Sequence, residues 1–207
     1  AYVVYGSMSL PATLDVSNPS PAFSLIVGGP NNRDLCWAVN GVGDLDGDGA
    51  DELAVGDLSY STPAASAGFA YVFAGLEFGV NQAVDDAVWT FGNGTGLVAA
   101  GDYLGRAFVE GGQRLNDAQL DVDKDGFADL VMAETEHGDE AGSVLIYFGG
   151  AAGPMGDSST EADIRIVAPS GSSGLFGTAL VSVGQPDFNG DGFGDFAVTD
   201  ANYGTCP

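Results

Sequence analysis

Positive charge is what this sequence has least of: 5 Lys and Arg stand against 29 Asp and Glu, for a formal net charge of −24 over 207 residues. A surface so poor in cations cannot neutralise phosphates or release their counterions, which excludes nucleic acid and anionic membrane surfaces as partners. Long apolar runs are missing as well. Gly, Pro or a charged residue interrupts every stretch before it reaches the roughly 18 to 20 residues that span a bilayer, so no membrane insertion is expected. One histidine and two cysteines supply neither the donors of a zinc site nor a disulfide framework. Cys36 and Cys206 still permit one bridge, within or between chains; the other reading is one buried thiol and one exposed near the terminus.

Catalytic groups are equally scarce. The single histidine, His137, lies in the acidic stretch Glu134 to Glu140, where a solvated turn is the ordinary explanation. No serine or cysteine stands in a nucleophile elbow or at a helix start. No catalytic residue is assigned, and the chain is expected not to be an enzyme.

What is present is apolar residue and glycine in quantity. A hydrophobic fraction of 45% is enough to bury a core and excludes a disordered acidic tail. The 33 glycines follow no every-third-residue period, which excludes collagen and points to many tight turns between short strands. The fold class is therefore all-β.

Three acidic stretches share one internal grammar. They are Asp44-Leu-Asp46-Gly-Asp48-Gly-Ala50-Asp-Glu52, Asp121-Val-Asp123-Lys-Asp125-Gly-Phe127-Ala-Asp129 and Asp187-Phe-Asn189-Gly-Asp191-Gly-Phe193-Gly-Asp195. Their first residues stand 77 and 66 positions apart, near one third of the chain, which is the signature of a repeat. A strand is predicted before each loop, in Leu35 to Val42, Leu104 to Val109 and Phe176 to Val183. Another follows at once, in Leu53 to Val55, Leu130 to Met132 and Phe196 to Val198. Aromatic and β-branched runs closed by glycine, Ala70 to Gly75 and Val144 to Gly149, read as third strands, and Val88 to Phe91 and Ile164 to Val167 as fourth strands.

Four short antiparallel strands repeated at this length describe a β-propeller blade. An open solenoid suits the pattern less well, because its coils are shorter and lack hairpins. Ala1 to Gly6 matches a third strand and Phe23 to Val27 a fourth, so the expected organisation is three blade-equivalents with split terminal half-blades. Residues 1–30 are the second half of one blade, 31–100 and 101–171 are complete blades, and 172–207 are the first half of another.

Clustered carboxylates repel one another, and a hard divalent cation resolves the conflict. Calcium takes about six to eight oxygens, and alternate residues of a tight turn put positions 1, 3 and 5 on one side, with glycine at position 6 for the reversal. Position 9 returns a further carboxylate, and the position 7 carbonyl completes the shell. The expected ligands of about three calcium ions are Asp44, Asp46, Asp48, Ala50 and Glu52; Asp121, Asp123, Asp125, Phe127 and Asp129; Asp187, Asn189, Asp191, Phe193 and Asp195. An EF-hand would need an acid at position 12, which here is Val55, Met132 or Val198, and helices on both sides. Magnesium favours a stricter octahedron, and zinc favours His or Cys.

These loops resemble the Asp-x-Asp/Asn-x-Asp-Gly-x-x-Asp pattern of the FG-GAP repeats found in integrin alpha-subunit propellers and related bacterial surface proteins. Phe176-Gly177 fits the naming motif, Leu104-Gly105 is close to it, and Cys36 stands at the corresponding glycine of the first repeat. The Gly-Ala-Pro element is reduced to Gly56-Asp57, Ala133-Glu134 and Asp200-Ala201. The resemblance implies structural calcium ions and an extracellular or cell-surface setting.

The functional expectation is a calcium-stabilised structural or adhesive protein that assembles with itself. Closed propellers have about four to eight blades, so three equivalents are too few for an ordinary ring. Residues 1–30 of one subunit would complete the blade begun by 172–207 of the next, giving a ring or filament, with Cys206 meeting Cys36 at the joint. The alternative is a piece of a larger propeller that binds other extracellular proteins or glycans through its loops. Trp37, Tyr60, Tyr103 and Tyr203 are candidate contact aromatics for that role, Trp89 is expected in the core, and Asn93-Gly-Thr95 permits N-glycosylation.

Overall fold

The apolar runs that flank each acidic loop are short and nearly continuous, the pattern of strands covered on both faces. In the computed structural model these runs are strands, and the described residues form 15 strands altogether. It describes all residues except 18–21, 30, 31, 33, 61–66, 77, 78, 93–100, 114–117, 136–140, 157–159, 171, 173, 174, 183–186 and 202–207. The strands are β1 (Tyr2–Val4), β2 (Phe23–Val27), β3 (Leu35–Gly43), β4 (Glu52–Asp57), β5 (Phe69–Phe73), β6 (Gln82–Ala83), β7 (Trp89–Phe91), β8 (Leu104–Phe108), β9 (Gly112–Gln113), β10 (Ala118–Gln119), β11 (Leu130–Glu134), β12 (Ser143–Tyr147), β13 (Ile164–Val167), β14 (Phe176–Val181) and β15 (Ala197–Asp200). One 3-10 turn, Val84–Asp86, accompanies them. Among the described residues no helix is long and apolar enough to cross a membrane.

The protein is all-β, with several antiparallel sheets, all of them open. Two sheets have four strands, in the orders β3-β4-β5-β7 and β8-β11-β12-β13. Each takes its strands in the sequence expected from the repeat. A sheet of β14 and β15 repeats the first two positions, and β1 with β2 repeats the last two. Two features lie outside the repeat pattern: a small β9-β10 hairpin between β8 and the second acidic loop, and β6, which joins β2 in parallel.

The sheets stack in chain order, and period-two alternation divides each strand between two cores. Leu145 and Tyr147 of β12 join Ala70 and Val72 of β5 in the core between the four-stranded sheets, where the Phe91 and Tyr147 rings lie 4.6 Å apart. Tyr71 and Phe73 of β5 face the other way, onto Ile26 of β2 and Val3 of β1. Val144 and Ile146 of β12 pack against Phe176 and Leu180 of β14. At the first layer the outward residues Tyr2 and Val4 are each 52% exposed, whereas their counterparts Tyr71 and Phe73 are buried. Trp89 packs partly buried against the central core, and Trp37 is exposed.

The first strand of each repeat carries a left-handed residue at one position: Cys36 at φ +72°, Gly105 at +78° and Gly177 at +81°. In the first repeat a cysteine adopts the conformation that glycine holds in the other two. Cys36 is a free, half-buried thiol whose Sγ accepts from the Ala1 amino group at 2.9 Å. Cys206, Asn93, His137 and Tyr203 lie outside the described residues.

Candidate metal centres

Each acidic loop joins the first strand of a sheet to the second, and its turns follow from its own side chains. The position 1 carboxylate accepts the position 6 N–H in all three: Gly49 to Asp44 Oδ2 at 3.2 Å, Gly126 to Asp121 Oδ2 at 2.9 Å, Gly192 to Asp187 Oδ2 at 2.8 Å. Position 3 accepts from position 5, with Asp48 on Asp46 at 3.0 Å, Asp125 on Asp123 at 3.2 Å and Asp191 on Asn189 at 2.9 Å. Position 5 accepts from position 7, with Ala50 on Asp48 at 2.7 Å, Phe127 on Asp125 at 2.9 Å and Phe193 on Asp191 at 2.9 Å. These side-chain turns give each loop its tight curl. Left-handed residues make it possible: Gly47, Lys124 and Gly190 at position 4, and Gly49, Gly126 and Gly192 at position 6.

Position 9 closes each loop. Glu52 Oε2 accepts the Leu45 N–H, Asp129 Oδ2 the Val122 N–H and Asp195 Oδ2 the Phe188 N–H, each at 2.6 Å. The other oxygen behaves differently from loop to loop. Asp129 Oδ1 accepts the Gly149 N–H at 2.9 Å, whereas Glu52 Oε1 is buried with no hydrogen-bond partner. An unpartnered buried carboxylate oxygen is costly unless a cation meets it.

Among the described residues two acidic clusters could hold a metal ion. Asp44, Asp46 and Asp48 each offer an oxygen within 4.8 Å of the others, and Asp121, Asp123 and Asp129 do the same. The donors are all hard oxygens, which fits calcium or magnesium rather than zinc or copper. Burial pushes Glu52 up to about 8, against the Leu45 N–H and with the nearby Asp46, Asp44 and Asp48 charges adding to it. Burial likewise pushes Asp129 up to about 7, with the Asp123 and Asp121 charges contributing. Asp123 is raised by burial and by Asp125. Both position 9 acids, each 1% exposed, are thus strained as anions where a cation would relieve them.

The third loop has the same hydrogen bonds but no set of three converging carboxylates, because position 3 is Asn189. It is also more exposed at position 9. Asp187 is held below the usual carboxylate range, first by the Gly192 N–H and also by the Lys124 charge. Lys124 reaches over from the second loop, its Nζ lying 5.1 Å from the centre of the Phe193 ring.

Spacing alone gives no hint that the loops touch one another. The Ala128 N–H donates to the Asp44 carbonyl at 3.0 Å, and the Gly194 N–H to the Asp121 carbonyl at 2.6 Å. In both cases position 8 of one loop meets position 1 of the loop before. The Phe127 ring covers Gly47 as Phe193 covers Lys124, so position 7 also meets position 4. The turn after β12 seals the first junction: the Gly150 N–H donates to the Leu45 carbonyl at 2.9 Å, and a Cβ on Gly149 would stand 2.1 Å from the Ala128 carbonyl oxygen.

No protein-family model matches the chain, and no curated protein matches it either.

Proposed function

We propose that this chain is a calcium-stabilised structural or adhesive module of the extracellular space or cell surface, built from consecutive propeller blades of the FG-GAP type. The observation that carries the reading is one loop geometry made three times, with the buried and unpartnered Glu52 Oε1 beside the Asp44, Asp46 and Asp48 oxygens. Asp44, Asp46, Asp48 and Glu52 would hold one ion and Asp121, Asp123, Asp125 and Asp129 a second, with the Ala50 and Phe127 carbonyls completing the shells. Asp187, Asn189, Asp191, Asp195 and the Phe193 carbonyl would hold a third, weaker one. An ion at each place ties the first strand of a sheet to the second, which is a structural task rather than a catalytic one.

The open edges support assembly. Among the described residues β15 pairs with β14 alone and β1 with β2 alone, and the two pairs would serve as the first and last halves of one four-stranded sheet. Joining them between copies, head to tail, gives a filament or ring; joining them through further repeats of a longer polypeptide gives a larger propeller that binds proteins or glycans. The exposed Tyr2 and Val4 favour coverage by a further layer in either case.

Calcium titration calorimetry with sedimentation tests both parts. About three ions per chain and, in calcium, a mass above one chain are expected. Absence of calcium binding overturns the metal reading, and a monomer at all concentrations overturns self-assembly.

A further inference from the structure

The contacts between loops form a continuous relay that no single loop reveals. The Phe127 carbonyl, which the calcium reading places on the second ion, shares its peptide group with the Ala128 N–H. That N–H donates to the Asp44 carbonyl at 3.0 Å. The Asp44 carbonyl in turn shares its peptide group with the Leu45 N–H, which donates to Glu52 Oε2 at 2.6 Å. Two peptide groups therefore link the second ion's position to a carboxylate of the first. The third loop repeats the arrangement: Phe193 carbonyl, Gly194 N–H to Asp121 carbonyl at 2.6 Å, then Val122 N–H to Asp129 Oδ2 at 2.6 Å.

We propose that neighbouring loops load their cations cooperatively through this relay. The inference rests on the calcium reading and deepens it. A cation on a peptide carbonyl polarises that peptide and strengthens its N–H as a donor, and hydrogen bonds in a chain pass such polarisation on. Loading the second loop thereby tightens the Leu45 hydrogen bond that holds Glu52 on the first site, and loading the third does the same for Asp129. Packing acts in the same direction. The Phe127 ring on Gly47 and the Lys124–Phe193 contact make the order of one loop a condition for its neighbour's. Coupling is reciprocal, so each ion of an adjacent pair raises the affinity of the other. Loops 1 and 3 share no such link among the described residues and load independently.

The test uses calcium alone, by titration calorimetry on the full chain, with loops disabled in turn by Asp44→Asn with Asp48→Asn, Asp121→Asn with Asp125→Asn, and Asp187→Asn with Asp191→Asn. Asparagine keeps one acceptor oxygen at each position but gives up the second one, which position 1 uses for the position 6 N–H, so melting curves first establish that each variant is folded. With loops 2 and 3 intact, each site is expected to bind about fivefold or more tighter than when it stands alone. With loops 1 and 3 intact, each binds as it does alone. An adjacent pair that fits independent sites overturns the proposal while leaving the calcium reading standing; a chain that binds no calcium overturns both. The single exposed change Asp191→Asn gives the same answer at less risk to the fold. It is expected to weaken the binding of another ion besides the third, and weakening confined to one ion overturns the relay.

Discussion

Gly56 of β4 and Gly105 of β8 sit back to back across the two four-stranded sheets, so close that a Cβ on Gly56 would stand 2.1 Å from the Gly105 carbonyl oxygen. Backbone, not a flexible side chain, is what that Cβ would meet. Gly56→Ala therefore forces the sheets apart and is expected to cost about 3 kcal/mol. Gly75 provides the contrast. It has φ +59°, and a Cβ there would meet nothing within 4 Å, so Gly75→Ala carries only the left-handed backbone penalty of about 1 kcal/mol. Urea unfolding of the two variants in calcium measures the difference.

Cys36 adopts φ +72° where the other repeats have Gly105 and Gly177. The backbone of a non-glycine residue is strained there, while the thiol contributes only a partly buried contact and the Ala1 hydrogen bond. Cys36→Gly is expected to stabilise the protein by about 0.5 to 1 kcal/mol, the strain relief exceeding the extra unfolded-chain entropy of glycine. Chemical denaturation under reducing conditions checks it; a loss of stability would mean that the thiol's contacts outweigh the strain.

Without calcium, the burial of Glu52 and Asp129 sets the sign of a pH dependence. Burial raises Glu52 from the usual 4.5 to about 8 and Asp129 from 3.8 to about 7. The folded state thus binds protons more tightly than the unfolded chain. This contribution is complete below about pH 4 and is lost as pH rises through 7 and 8. In chelator, the melting temperature is expected to fall between pH 5 and pH 9. Excess calcium should remove or reverse that slope, since the ion replaces the protons.

Glu52→Gln separates the two states of the first site. In chelator it removes a desolvated charge from among Asp44, Asp46 and Asp48, and the variant should melt higher than the parent at pH 8. In calcium it removes a ligand charge, and affinity at that site should fall about tenfold. Melting curves in both conditions give opposite signs if Glu52 is a ligand and the same sign if it is only a buried acid.

Much of this architecture is written locally. The Asp and Gly spacing of each loop dictates its side-chain turns, because positions 1, 3 and 5 reach only the N–H groups a few residues ahead. The runs Ala70 to Phe73 and Val144 to Tyr147 are apolar on both faces because both faces are covered, which makes them legible as strands and hides which neighbour covers which face. The β9-β10 hairpin escapes notice because strands of two residues carry no periodicity. β6 pairs with a strand more than fifty positions away, which no local pattern encodes. The contacts of Ala128 with Asp44 and of Gly194 with Asp121 depend on how one sheet is set against the next, so the coupling of the loops emerges only in three dimensions.

The central claim is that divalent cations in the acidic loops hold the fold together, and thermal unfolding in calcium against excess chelator at neutral pH tests it most directly. A site loaded at about a thousand times its dissociation constant contributes about 4 kcal/mol, and a chain of this size shifts by about 2 to 4 °C per kcal/mol. Loss of the ions is therefore expected to lower the melting temperature by about 10 °C or more. Superimposable curves with and without chelator would contradict the account.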